Sequence, residues 1–172
     1  MQLVFRKPLI LHFTSTGYAA KSSHTHSGGG VDYQCLPKFP EFPEGVQAGY
    51  QTGTRMYGVE YEHSSNIWID IHDEDVPCAV CSVNGRGRQL MIPAKLSCPD
   101  DWTMEYSGML ATQSHNQHGA TYICVDSEME GVNGGHENHN GGLLYVVEAA
   151  CGSLKCPPYD EGYEIACSVC TR

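Results

Sequence analysis

The sequence predicts an all-β protein made of two tandem, disulfide-rich β subdomains related by a pseudo-twofold axis. Three observations carry that expectation. Nine cysteines stand in 172 residues, and three pairs of them recur at one spacing. The apolar residues fall in short runs rich in Val, Ile, Tyr and Leu, set apart by Gly and Pro clusters. No long stretch carries the 3.6-residue apolar period of an amphipathic helix.

The repeat is read first, because a missed repeat misassigns the whole fold. Cys35 and Cys124, Cys78 and Cys167, and Cys81 and Cys170 are each 89 residues apart. Their surroundings agree: "YQCL" against "YICV", and "CAVC" against "CSVC". A second block, 7–24 against 98–115, matches at an offset of 91 and pairs Gly17 with Gly108, Ala20 with Ala111 and His24 with His115. A third, "MYGVE" (56–60) against "LYVVE" (144–148), matches at 88. Small drifts in offset are what loop insertions produce. The expected repeats are 1–92 and 93–172, packed as one integrated domain.

Within each repeat the expected elements are strands. "LILHFTSTGYA" and "WTMEYSGMLA" alternate partly between apolar and polar around a Gly. "VDYQCL", "RMYGVEYE", "RQLMIPA", "TYICV" and "LLYVVEAA" are short β-forming runs, and "SGGG", "FPEFPEG", "VNGRG", "VNGGHENHNGG" and "CPPYDEG" are the turns between them.

The formal net charge of −10 argues against nucleic acid as a partner, since no basic patch neutralises phosphates; "RGR" at 86–88 reads as a solvated turn. No apolar run approaches the ~20 residues of a membrane-spanning helix. The start, "MQLVFRKPLILHF", has a basic element, but its apolar run breaks early and no cleavage site follows, so it is not read as a signal peptide. A secreted form is expected to begin at a mature or truncated end. The cysteine density points to a secreted, extracellular protein. No N-x-[ST] sequon occurs.

A C-x-x-C occurs at Cys78/Cys81 and again at Cys167/Cys170. Four such thiolates have the local spacing of a zinc site, and a single pair has that of a redox motif, although no βαβ pattern surrounds either. Disulfides are the third reading. Aligning the repeats leaves one hole, because Lys7 stands where a mate of Cys98 is expected; Cys151 and Cys156 are additions to the second repeat.

The tandem "CP…YSG", "YIC" and "C-x-V-C" resembles the non-collagenous C-terminal domain of type IV collagen. "SHTHSGGGVDYQCLP", "DVPCAVC", "LMIPAKLSCP" and "AACGSLKCPPY" look like the invertebrate short-chain collagen-like proteins of that family. The resemblance runs from about Lys7 onward. It implies disulfides Cys35–Cys78, Cys98–Cys170, Cys124–Cys167 and Cys151–Cys156, and a free thiol at Cys81. No Gly-X-Y tract is present, so a collagen triple helix is not implied. Sea-anemone-type galactose lectins of similar size are also similar, with no site residue matched.

No nucleophile elbow, phosphate-cradling loop or H-E-x-x-H occurs, so an enzyme is not expected. The leading site is the Gly-rich loop "VDSEMEGVNGGHENHNGG" (125–142), whose hard oxygens are the donor type calcium takes. Asp126, Glu128, Glu137 and Asn138 are the expected calcium ligands, and Asn133, His136 and Asn140 the expected sugar contacts. A plain solvated loop competes with this reading. A second acidic stretch holds Asp70, Asp73, Glu74 and Asp75 and reads foremost as a capped turn. The histidine pairs His24/His26, His115/His118 and His136/His139 suggest a zinc or copper site less strongly than a structural role. Trp68 is expected in the core or an interface.

The expected function is therefore a secreted, calcium-assisted, galactose-type lectin. The alternative is an extracellular matrix module that assembles with a matrix protein or as a homo-oligomer. Cys81 is expected to be a buried, reduced thiol, with an intermolecular disulfide as the other outcome.

Overall fold

The computed structural model describes residues 11–50, 53–62 and 67–172, and over these the protein is all-β. The strands are β1 (Leu11–Lys21), β2 (Gln34–Pro37), β3 (Tyr57–Tyr61), β4 (Pro77–Val83), β5 (Gln89–Pro93), β6 (Thr103–Thr112), β7 (Ile123–Asp126), β8 (Gly142–Val146) and β9 (Ala166–Thr171). One short 3-10 turn covers Ile69–Ile71. The sheet runs β2-β1-β3-β8-β6-β9-β5, with β4 also on β1 and β7 also on β6. Among the described residues no helix is long and apolar enough to cross a membrane.

Two long strands organise the sheet. On β1, Gly17 pairs with Pro37 of β2 on one edge and Cys78 of β4 on the other. On β6, Gly108 pairs with Asp126 of β7 and Cys167 of β9. Strands flanking a third lie about 9–10 Å apart in a flat sheet. Here Cys35–Cys78 and Cys124–Cys167 each bring the flanking strands to 5.7 Å between Cα atoms. The sheet is therefore folded sharply around both central strands. The fold needs a position without a side chain. A Cβ on Gly17 would lie 1.6 Å from the Leu36 carbonyl oxygen, and one on Gly108 would lie 1.9 Å from that of Val125.

The backbone hydrogen bonds beyond the ladders follow the same pattern twice. Ala19 N donates to Val76 O and Leu110 N to Ile165 O. Val76 N donates to Val59 O and Ile165 N to Val147 O. Tyr61 N donates to Glu74 O and Ala149 N to Tyr163 O. Both long strands also shift register near their starts, between Phe13 and Ser15 and between Met104 and Tyr106.

The parallel pairing of β3 with β8, from Val59↔Gly142 to Tyr61↔Leu144, joins the two ladders. β5 pairs with β9, so the second ladder includes a strand that straddles the 92/93 boundary between the expected repeats. Cys98–Cys170 ties the approach to β6 onto β9, and Cys151–Cys156 closes a short loop. The long Cys98–Cys170 loop gives a closure contribution of ~4 kcal/mol in the entropic account.

One core cluster holds Tyr33, Val59, Tyr61, Trp68, Val76, Val125 and Leu144; a second holds Tyr106, Leu110, Cys124, Cys167 and Val169. Trp68 meets Tyr61 edge-on at 5.4 Å between ring centroids, so it is a core residue. Cys81 is the one described cysteine outside a disulfide. It is half-buried against the second cluster, and burial and Glu105 push its thiol pKa up. Lys7 lies outside the described residues.

A buried lysine sits at the end of β1. Lys21 is 1% exposed, and its Nζ donates to Gln113 Oε1 and lies 5.5 Å from the centroid of the Tyr33 ring. Desolvation lowers its pKa to about 8. A depressed lysine pKa means the unfolded chain holds the proton where the folded one has lost it. Stability from this group therefore rises with pH, beginning near 8 and ending near the ordinary lysine value. Above pH 10 the buried tyrosines Tyr33, Tyr61 and Tyr106, with raised pKa values, oppose it. Chemical denaturation of Cys81→Ser protein is expected to show a rise on the order of 2 kcal/mol between pH 8 and 10. Lys21→Met is expected to abolish the rise and be more stable at pH 7. A pH-independent stability shared by both proteins contradicts this.

Candidate functional site

The loop after β7 does not stand alone. Its middle, 131–135, is clamped to the segment before β4: Asp75 N donates to Gly135 O at 2.7 Å and Val132 N to Asp75 O at 3.0 Å. Gly131 and Gly135 allow this approach, since a Cβ at either would press on the side chain of Glu74 or Asp75. The two acidic stretches of the sequence thus meet. Between them lies a polar cleft of about 390 Å³, with Asp70, Glu74, Asn133 and His136 in its lining.

The rest of the expected site is spread out. Asp126, at the end of β7, is buried, and its Oδ1 accepts from Glu128 N at 3.1 Å. Burial raises its carboxyl pKa. Glu128 is exposed, as are Glu137 and Asn138. Glu137 lies 3.4 Å from His139 Nε2. Asn140 adopts a left-handed backbone with φ 53° and donates from Nδ2 to Asn138 Oδ1. The buried Glu60 carboxylate holds this end of the loop, accepting from His139 N at 3.2 Å and Asn140 N at 3.1 Å. Of the three expected sugar contacts, Asn133 and His136 line the cleft and Asn140 sits against Glu60.

Among the described residues, one group of three has ligating atoms close enough to hold a metal: Glu62, His72 and Asp73. His72 Nδ1 lies 3.8 Å from Glu62 and its Nε2 lies 3.7 Å from Asp73, so each ring nitrogen faces a carboxylate. Burial raises the Glu62 pKa, and Asp73 adds to the rise. The histidine pairs form no such group among the described residues. His24 serves structure, its backbone N and Nδ1 both lying against Gly141 O, at 3.0 and 3.1 Å. His26 stacks edge-on against Tyr57.

Two surface features were not singled out as sites in the sequence. The first is the segment after β2. Residues 36–50 are exposed without a break; Phe39 is 89% and Phe42 76% exposed, and Val46 and Tyr50 are exposed too. Arg55 lies over the Tyr50 ring at 4.1 Å. Its sequence signal was the Phe-Pro recurrence inside "FPEFPEG". The second is a groove of about 340 Å³ between 94–96 and 158–166, with Lys95, Leu96, Tyr159 and Tyr163 in its lining. No local pattern announces it, since its walls come from segments more than sixty residues apart.

Comparison with known proteins finds no match to this chain, whether among family models, curated proteins or solved structures.

Proposed function

We propose that the protein is an extracellular module whose role is association with matrix protein, its own copies included. The observation that carries this reading is the exposed segment 36–50. Monomers rarely present contiguous large apolar side chains to water, and those that do mark interaction sites. Each phenylalanine gains ~1.5–3 kcal/mol on full burial, so leaving both bare is a standing cost unless a partner covers them. The four disulfides are compatible with an extracellular location. The resemblance to the type IV collagen domain points the same way. We also infer that the chain is a tandem duplication about a pseudo-twofold axis; the paired hydrogen bonds and the two glycine crossings support it. The reading contains no catalytic step.

Sedimentation velocity is expected to show concentration-dependent self-association of the wild type. Phe39→Ser/Phe42→Ser is expected to sediment as a monomer with unchanged melting temperature. A wild type monomeric at every accessible concentration contradicts self-association.

A second reading, a galactose-type lectin, is favoured by the convergence of the two acidic segments on one cleft. Asp70 and Glu74 would accept from sugar hydroxyls there, and Asn133 and His136 would complete the polar lining. Calcium belongs to this reading as a proposal, because carboxylate and amide oxygens are the donors it takes. Titrating galactose with calcium present is expected to give saturable heat that chelator removes and Asn133→Ala/His136→Ala weakens about tenfold. No heat at millimolar galactose, with or without calcium, contradicts the lectin reading.

A further inference from the structure

Asn-Gly occurs three times in the chain, at Asn84–Gly85, Asn133–Gly134 and Asn140–Gly141. In this dipeptide the asparagine side chain is open to attack by the next backbone nitrogen, because glycine puts no Cβ in the way. The attack needs the glycine nitrogen within ~3–3.5 Å of the asparagine Cγ, a contact reached by turning the bonds around the asparagine. Hydrogen bonds that fix this stretch of backbone oppose the reaction. The fold therefore sorts the three pairs.

Two of them are pinned. Asn133 and Gly134 form the middle of a turn closed by Gly135 N donating to Val132 O at 2.8 Å. The same turn is bound to Asp75 on both sides, through Val132 N at 3.0 Å and Gly135 O at 2.7 Å. Asn140 N donates to the buried Glu60 carboxylate at 3.1 Å. Its neighbour Gly141 is buried, a Cβ on it would lie 2.6 Å from Gly58 O, and its carbonyl accepts from His24 N at 3.0 Å.

The first pair is held differently. Asn84 and Gly85 form the turn after β4, and both are exposed. Among the described residues, 84–87 make no backbone–backbone hydrogen bond. Gly85 has a left-handed backbone, φ 74°, and a Cβ there would meet nothing within 4 Å. Only the flanks of the turn are fixed. β4 is held by β1 and β5 by β9, and Arg88 and Arg172 exchange backbone hydrogen bonds at 3.0 and 3.1 Å. Arg86 Nη2 donates to Glu105 Oε1 at 2.8 Å. A change inside the turn leaves both ladders in place.

We propose that Asn84 is a modification site, converted by water to aspartate and isoaspartate while the protein stays folded. Gly85 N gives its proton to solvent base and attacks Asn84 Cγ. The new C–N bond closes a succinimide ring, and the side-chain nitrogen takes a proton and leaves as ammonia. Water then opens the ring. Cleavage between Gly85 N and Cγ gives aspartate. Cleavage between Gly85 N and the Asn84 main-chain carbonyl carbon gives isoaspartate, which carries an extra carbon in the main chain. Nothing is oxidised or reduced, and water is the co-reactant. Either product adds a negative charge to the turn that joins the two expected repeats.

The test compares folded protein with reduced, denatured protein, both incubated at mildly alkaline pH, where more of the attacking nitrogen is deprotonated. Peptide mapping counts aspartate and isoaspartate at each of the three asparagines. The denatured chain is expected to convert all three at comparable rates. In the folded protein Asn84 is expected to stay close to its denatured-chain rate, whereas Asn133 and Asn140 slow about tenfold or more, because their hydrogen bonds must first open. Asn84→Asp protein is expected to melt with wild type. Folded protein in which Asn84 converts no faster than Asn133 or Asn140 overturns the proposal. An Asn84→Asp protein that melts several degrees lower overturns the claim that the fold tolerates the change.

Discussion

The fold depends on two places where a strand passes close to a neighbour's carbonyl with no room for a side chain. At Gly17 and Gly108 the flanking strands close over the central one, and each crossing is locked by a disulfide between those flanking strands. Cys78 is the register partner of Gly17 and Cys167 of Gly108, so the lock sits where the sheet bends. Bending turns what would be a flat sheet inward and lets Tyr33, Tyr61 and Trp68 share one core with Val125 and Leu144. Without the two crossings, β2 and β7 would return to ordinary neighbour spacing and the disulfides would be out of reach.

The surface follows from this interior. Because β3 and β8 run side by side in parallel, the loop entering β8 is carried back across the segment before β4. That is why two acidic stretches, distant in sequence, form one cleft. The segment after β2 has the opposite fate. Its prolines remove backbone donors, so no ladder can recruit it, and its phenylalanines are left in water. The formal net charge of −10 opposes non-specific association while this short apolar segment stands exposed.

Much of the frame was legible in the sequence for a plain reason. Cysteine and glycine at strand crossings are choices of residue type that no other side chain can fill, and they recur at fixed offsets. The short β-forming runs and their turns were legible through composition and alternation. Other features were not. Nothing in "YAAKSSH" marks Lys21 as buried, and its partner Gln113 is ninety-two positions away. Asp126 reads as the first calcium ligand of its loop, but it ends a strand and turns inward to receive the Glu128 amide. The Tyr159/Tyr163 groove has no signal in any one segment. Local patterns report local backbone, whereas these sites are made by distant segments meeting.

The most direct measurement of this account is the stability of Gly17→Ala and Gly108→Ala beside Gly58→Ala, by chemical denaturation with disulfides intact. A Cβ at Gly58 meets nothing within 4 Å, so that variant measures only the change of residue type in a strand. The account predicts that each crossing variant loses at least about 3 kcal/mol relative to Gly58→Ala, because a backbone carbonyl cannot move aside as a side chain can. Crossing variants as stable as Gly58→Ala would contradict it.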